Sequence, residues 1–127
     1  MSPVVISTPS APAAVGPYSQ AVKHGNTLYC SGQIGLVPAT GLMVEGGFAA
    51  QVAQAFSNLK AVIEAAGGNI NHSVKLTLFL TDLAQFAVVN EMMAATFAQP
   101  YPARSTIGVA SLPKGAEFEV EAIVVLP

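Results

Sequence analysis

The stretch FAAQVAQAFSNLKAVIEAAGGNINHSVKLTLFL, Phe48 to Leu80, changes its hydrophobic period part-way along. Up to Ala66, Val52, Phe56, Leu59 and Ile63 share one helical stripe, with Gln51, Gln54, Asn58 and Lys60 largely off it. Gly67-Gly68 ends the helix by supplying a left-handed C-terminal position. From Val74 to Leu80 the period is two: Val74, Leu76, Leu78 and Leu80 fall on one side, Lys75, Thr77 and Phe79 on the other. Both faces are apolar or amphipathic. That fits a central strand covered by helices on one face and by another subunit on the other.

On the C-terminal side, Asp82 stands as an N-cap with Gln85 three residues later, opening a second helix through about Ala98. Its apolar stripe is Phe86, Val89, Met93 and Phe97, of which Phe86, one turn from the start, is free to line a pocket. Pro100 and Pro102 stop this helix and force an extended path into a short strand, Ser105 to Val109. A Leu112-Pro-Lys-Gly115 turn leads to the last strand, Ala116 to Val125. There Glu117, Glu119 and Glu121 point one way and Phe118, Val120 and Ala122 the other. Pairing of the Ser105 strand with the last one across that turn would bring one of these carboxylates near Arg104.

On the N-terminal side, Val4 to Ser7 reads as a short strand followed by a Pro- and Ala-rich arm. Gly16-Pro-Tyr-Ser-Gln20 holds Tyr18 at a defined place in an irregular segment, because Pro17 fixes its own φ and Gly16 reaches conformations closed to other residues. Ala21 to Lys23 and Thr27 to Ser31 flank His24-Gly-Asn26, a connection with hairpin chemistry, so His24 is a turn residue. Ser31-Gly32 is a strand end where a ligand or another backbone can approach closely, and Leu36 to Gly47 is a loop. The order β-β-β-α-β-α-β-β predicts an α+β fold, a mixed sheet with both helices on one face, with residues 1–127 as one domain.

Of the 127 residues, 52% are hydrophobic and only 9% charged, against a usual charged share of roughly 25%, so apolar surface must be hidden and a symmetric homo-oligomer is expected. A net charge of −2 with five scattered basic residues argues against nucleic acid as a partner. Lone Cys30 excludes an internal disulfide and sits in an apolar strand as a structural thiol. Met1 to Ala14, broken by three prolines, does not read as a signal peptide, and no run approaches the length of a membrane span. A cytoplasmic protein with no membrane association is the expectation. His24, His72 and Cys30 have no ligand spacing, so no metal is expected.

Arg104 is the only arginine, and its planar, permanently charged fork suits a carboxylate or phosphate. No phosphate-loop pattern accompanies it. Tyr18, Ser31-Gly32, Thr106 and a carboxylate complete the chemically useful set. With no activated nucleophile, the accessible chemistry is proton transfer and attack of water on an already reactive substrate.

Gly16-Pro-Tyr-Ser-Gln-Ala-Val22, Ser31-Gly-Gln-Ile-Gly35, Ala66-Gly-Gly68, the Asn90 helix, Tyr101-Pro-Ala-Arg-Ser-Thr106, Leu112-Pro-Lys114 and Glu117 to Ala122 together resemble the Rid family of YjgF-type imine deaminases, also labelled L-PSP endoribonuclease-like. The resemblance spans nearly the whole chain. It implies a chorismate-mutase-like fold, a barrel-cored homotrimer with sites in the clefts between subunits, and cofactor-free hydrolysis of 2-imino acids, formed from enamines such as 2-aminoacrylate and 2-aminocrotonate, to 2-keto acids and ammonia. By position it assigns Arg104 to the substrate carboxylate, Glu119 to the attacking water, Tyr18 to the pocket, and Ser31 with Gly32 to the cleft wall. Thr106 stands where many members have cysteine, and Met93 where many have tyrosine. Other functions consistent with the same cleft are a carboxylate-binding regulatory or chaperone-like module, an aminomuconate-type deaminase and, against the acidic balance, a ribonuclease.

Overall fold

A computed structural model describes residues 2–127. Its elements are β1 (Val4–Ile6), β2 (Ala21–His24), β3 (Thr27–Gln33), α1 (Phe48–Ala65), β4 (Ser73–Leu80), α2 (Phe86–Thr96), β5 (Ala103–Gly108) and β6 (Phe118–Val125). All six strands form one sheet in the order β1-β2-β3-β6-β4-β5. Every neighbouring pair is antiparallel except β4 and β5, which run parallel because α2 carries the chain back over the sheet between them. The result is the expected α+β class with one mixed sheet and two helices.

The expected pairing of the Arg104 strand with the last strand does not occur. β4 lies between them, bonded to β5 through Leu76↔Arg104 and to β6 through Phe79↔Glu119. The reason is burial. Phe118, Val120, Ala122 and Val124 of β6 are at most 4% exposed, and a strand with so apolar a face gains most in the sheet centre, where the helices cover it. The parallel β4–β5 unit leaves β5 at the edge.

One core lies between the sheet and both helices, drawing on Leu28, Leu76, Leu78, Leu80, Val52, Phe56, Leu59, Ile63, Val89 and Met93. Phe56 packs edge-to-face on Phe97 and on Phe118, at 5.6 Å between centroids in both cases. Gly67, at φ 90°, closes α1 as its sequence predicts, and the Gly68 amide donates to the Ile63 carbonyl at 3.1 Å.

Four local readings change. Gln51 and Asn58 are buried rather than off the stripe, because each satisfies a buried partner. The Asn58 amide donates to the Ile34 and Leu36 carbonyls at 3.1 and 2.8 Å, and Gln51 bonds both the backbone and the side chain of Glu117. Val74 is 46% exposed instead of sharing the Leu76 face, since the β4–β6 register slips between Ser73 and Lys75 and one residue's slip reverses the face. Asp82 caps a short 3-10 turn, Leu83–Gln85, by accepting from the Ala84 amide at 2.9 Å, so α2 starts only at Phe86 and ends at Thr96. β2 takes in His24, leaving Gly25, at φ 62°, and Asn26 as the two-residue turn.

The face of the sheet away from the helices carries Tyr29, Ile123, Val125 and Ile107, 36–52% exposed, with Lys75 donating to the Ser105 hydroxyl at 3.0 Å. Exposed apolar residues beside Lys75, Glu119 and Glu121 make this face the surface on which low overall charge predicts an interface.

Candidate active site

β3 does not end at Ser31-Gly32. Cys30 faces Ala122 and Gln33 faces Val120, so Ser31 and Gly32 together oppose the single residue Glu121 as a β-bulge. The bulge re-aims both residues. The Ser31 hydroxyl donates to the Ser19 carbonyl at 2.5 Å and its amide to the Gln20 carbonyl at 3.0 Å, which fastens the Tyr18 segment to the sheet. Gln20, 4% exposed, holds that segment from below: its amide donates to the carbonyls of Thr8 and Pro12 at 3.0 and 2.8 Å, and its oxygen accepts from the Thr8 amide at 2.7 Å. Four polar atoms of the Pro-rich arm are thereby organised by one buried side chain, Ala11 included at 3.4 Å.

These residues wall a cavity of about 450 Å³ in which Tyr18, Ser31, Gly32, Lys114 and Glu119 meet. Glu119 projects from β6 against the bulge. A side chain at Gly32 would place its Cβ 2.8 Å from the Glu119 carboxyl carbon, so only glycine leaves that space to the acid. Partial burial raises the pKa of Glu119 above its ordinary value of 4.5, and the charge of Glu121 raises it further. Such a carboxyl is a better proton acceptor than an exposed one. Lys114, in the wall of the same cavity, holds a left-handed backbone with φ 57°.

Arg104 lies elsewhere. It lines a second cavity of about 380 Å³ with Asn90, Met93, Ala94, Tyr101 and Pro102. Its Nη2 donates to Asn90 Oδ1 at 2.5 Å, its Nη1 to Met93 Sδ at 3.2 Å, and its guanidinium carbon stands 5.1 Å from the centre of the Phe86 ring. All three partners are neutral. Phe86, 40% exposed, thus touches Arg104 rather than the core, whereas Val89, Met93 and Phe97 are buried.

Within one chain the two cavities are separate. Glu119 is level with Phe79 and Ile107, two strands across and three residues along from Arg104, so roughly 14 Å separates their Cα atoms by standard strand spacings. They also face opposite ways: Arg104 shares its side with Leu76 under α2, and Glu119 its side with Phe79. Thr106, on the Arg104 side of β5, lines neither cavity. Among the described residues no three His, Cys, Asp or Glu side chains gather as a metal would require. Burial pushes the Cys30 thiol up to about 12, which makes it inert.

The structural roles of Gln20, Gln51 and Asn58 were not read from the sequence, because polar residues in an irregular segment or beside a helix stripe look solvent-facing until their partners are known. Gln20 had a faint signal in its place at the end of the Gly-Pro-Tyr segment.

The pattern of the family described as Endoribonuclease L-PSP matches residues 8–126. The chain belongs to this family, the Rid family of its sequence motifs. A 2-iminobutanoate/2-iminopropanoate deaminase of Dermatophagoides farinae is 50% identical over 99% of each chain, and one of Mus musculus is 48% identical over 95% of this chain and 90% of its own. The crystal structure of RidA from the Antarctic bacterium Psychrobacter sp. PAMC 21119 matches with a TM-score of 0.94 at 54% identity, covering 97% of this chain and 99% of that one. This Rid-family chain therefore shares its fold with the Psychrobacter RidA.

The Gly32 contact gives a first prediction. In Gly32→Ala the flexible Glu119 side chain must move, while the sheet has no reason to shift, so the melting temperature should change by no more than about 4 °C. A crystal structure of the variant should show the Glu119 carboxylate displaced; a carboxylate in its original place would contradict the close packing.

Proposed function

We propose that this chain is a 2-iminobutanoate/2-iminopropanoate deaminase that hydrolyses 2-imino acids to 2-keto acids and ammonia. Relatives 46–50% identical over at least 95% of the chain carry that name. The observation that carries the substrate class is the guanidinium of Arg104, which lines a cavity and, among the described residues, has no carboxylate partner. A small acid supplies the missing charge, and each charge-assisted hydrogen bond to it contributes about 1.5–3 kcal/mol.

Residues 1–127 act as one domain and assemble as a homotrimer, with the Arg104 cavity of one subunit meeting the Tyr18–Glu119 cavity of the next. Support comes from the apolar open face of the sheet and from the distance between the half-sites within one chain. In the joined site Arg104 fixes the carboxylate, with Phe86 and Thr106 beside it on the same wall and Ser31 and Gly32 on the other. Glu119 takes a proton from water as the water oxygen bonds to the imine carbon, and passes that proton to the imine nitrogen. In the carbinolamine so formed Glu119 moves the hydroxyl proton to the amino nitrogen, and the C–N bond breaks to release ammonia and leave the keto acid. Tyr18 orients the water through its hydroxyl. No cofactor enters these steps. A location in the cytoplasm suits an enzyme of this kind, and no helix among the described residues is long and apolar enough to cross a membrane.

Two outcomes test this proposal. Wild-type protein should accelerate ammonia release from a freshly generated 2-imino acid over buffer, and Arg104→Ala should abolish the acceleration without altering the assembly; retained activity in the variant would remove Arg104 from its role. Because the Glu119 pKa is raised, the base form is lost as pH falls through a value above 4.5, so the acid limb of kcat/KM should lie above that value. Removing the neighbouring charge in Glu121→Gln should move the limb to lower pH, and an unmoved limb would assign it to another group.

A further inference from the structure

We propose that Asn90 is the positioning residue that keeps Arg104 both ordered and uncompensated, and so sets the affinity of the site for its carboxylate. The inference rests on the deaminase reading above and adds a determinant to it. Phe86, Asn90 and Met93 are spaced four and three residues apart and form one stripe on α2. Three side chains of that stripe meet the guanidinium: the Phe86 ring at 5.1 Å, Asn90 Oδ1 at 2.5 Å and the Met93 sulfur at 3.2 Å.

The arrangement resolves two conflicting demands. A long side chain loses on the order of 2 kcal/mol of rotamer entropy when it is fixed, and this cost weakens binding if the ligand must do the fixing. An acidic neighbour would fix Arg104 well, but it would also occupy the fork and cancel the charge that a carboxylate needs. An amide oxygen at the same place accepts one N–H and brings no net charge. A guanidinium has five N–H donors, and α2 takes one from each of two nitrogens, so the others stay available to a ligand. Asn90 lies in the wall of the Arg104 cavity, where a small carboxylate would have to enter.

Asn90→Asp separates these functions, because it keeps the shape and the hydrogen bond and changes only the charge. Calorimetry with 2-ketobutyrate and steady-state kinetics should show Kd and KM raised roughly tenfold or more, with kcat within about threefold of wild type, since the new carboxylate competes with the ligand for the same fork. Asn90→Ala, which frees the arginine without neutralising it, should raise Kd less than Asn90→Asp does. A helix-stability role alone would lower the melting temperature and leave the split between Kd and kcat unmoved. Equal Kd values for Asn90→Asp and wild type, or a larger loss in Asn90→Ala than in Asn90→Asp, would overturn the assignment. If wild-type protein binds no 2-ketobutyrate and hydrolyses no imine, the deaminase reading itself falls and this inference with it.

Discussion

β4 is bonded on both sides, to β6 in antiparallel and, from Lys75 to Leu80, to β5 in parallel, and this double pairing fixes where Arg104 and Glu119 stand. It buries Leu76, Leu78 and Leu80 completely under the helices. It also puts Arg104 on the helix-covered side at the sheet edge and Glu119 two strands away on the opposite side. The cation and the carboxylate therefore cannot neutralise one another within a chain. Had β5 and β6 formed a hairpin, the two charges could have met as an internal ion pair, which contributes little to stability and leaves neither group for a ligand.

The two half-sites are built by different means. Around Glu119 the device is backbone geometry: a bulge at Ser31-Gly32, a glycine that leaves room for a carboxylate, and an arm tied down by the buried Gln20 amide. Around Arg104 it is a helix stripe of neutral side chains. Partial burial favours the proton-accepting character of Glu119, while neutral surroundings preserve the full charge of Arg104. On the proposed reading each cavity is incomplete alone, with a base but no carboxylate clamp in one and a clamp but no base in the other.

Elements with strong periodicity were legible in the sequence. α1 follows from Val52, Phe56, Leu59 and Ile63 with Gly67 after them, and β4 from the alternation of Leu76, Leu78 and Leu80. Pairing was not legible, because nothing local in Ser105 to Gly108 distinguishes a neighbour on β4 from one on β6; the choice is made by burial of Phe118 and Val120 elsewhere. The bulges at Ser31-Gly32 and at Val74 were hidden for a similar reason, since a register slip belongs to two strands at once. Arg104, Tyr18, Ser31, Gly32 and Thr106 stood out as residues with chemistry, and Glu119 through the family resemblance. The separation of Arg104 from Tyr18, Ser31, Gly32 and Glu119 into two cavities required the sheet order, and Asn90 took on a role only when its side-chain oxygen was seen against the guanidinium.

On the proposed assembly, catalysis needs Arg104 of one chain and Glu119 of another. Arg104→Ala and Glu119→Gln proteins, each expected to be inactive by itself, can be mixed under conditions that exchange subunits and ammonia release from a 2-imino acid measured. Random mixing in a closed ring gives roughly a quarter of the interfaces one intact arginine and one intact glutamate, so about a quarter of wild-type activity should return. Mixtures that exchange subunits and stay inactive would place both residues in a single chain's site and contradict a site shared between subunits.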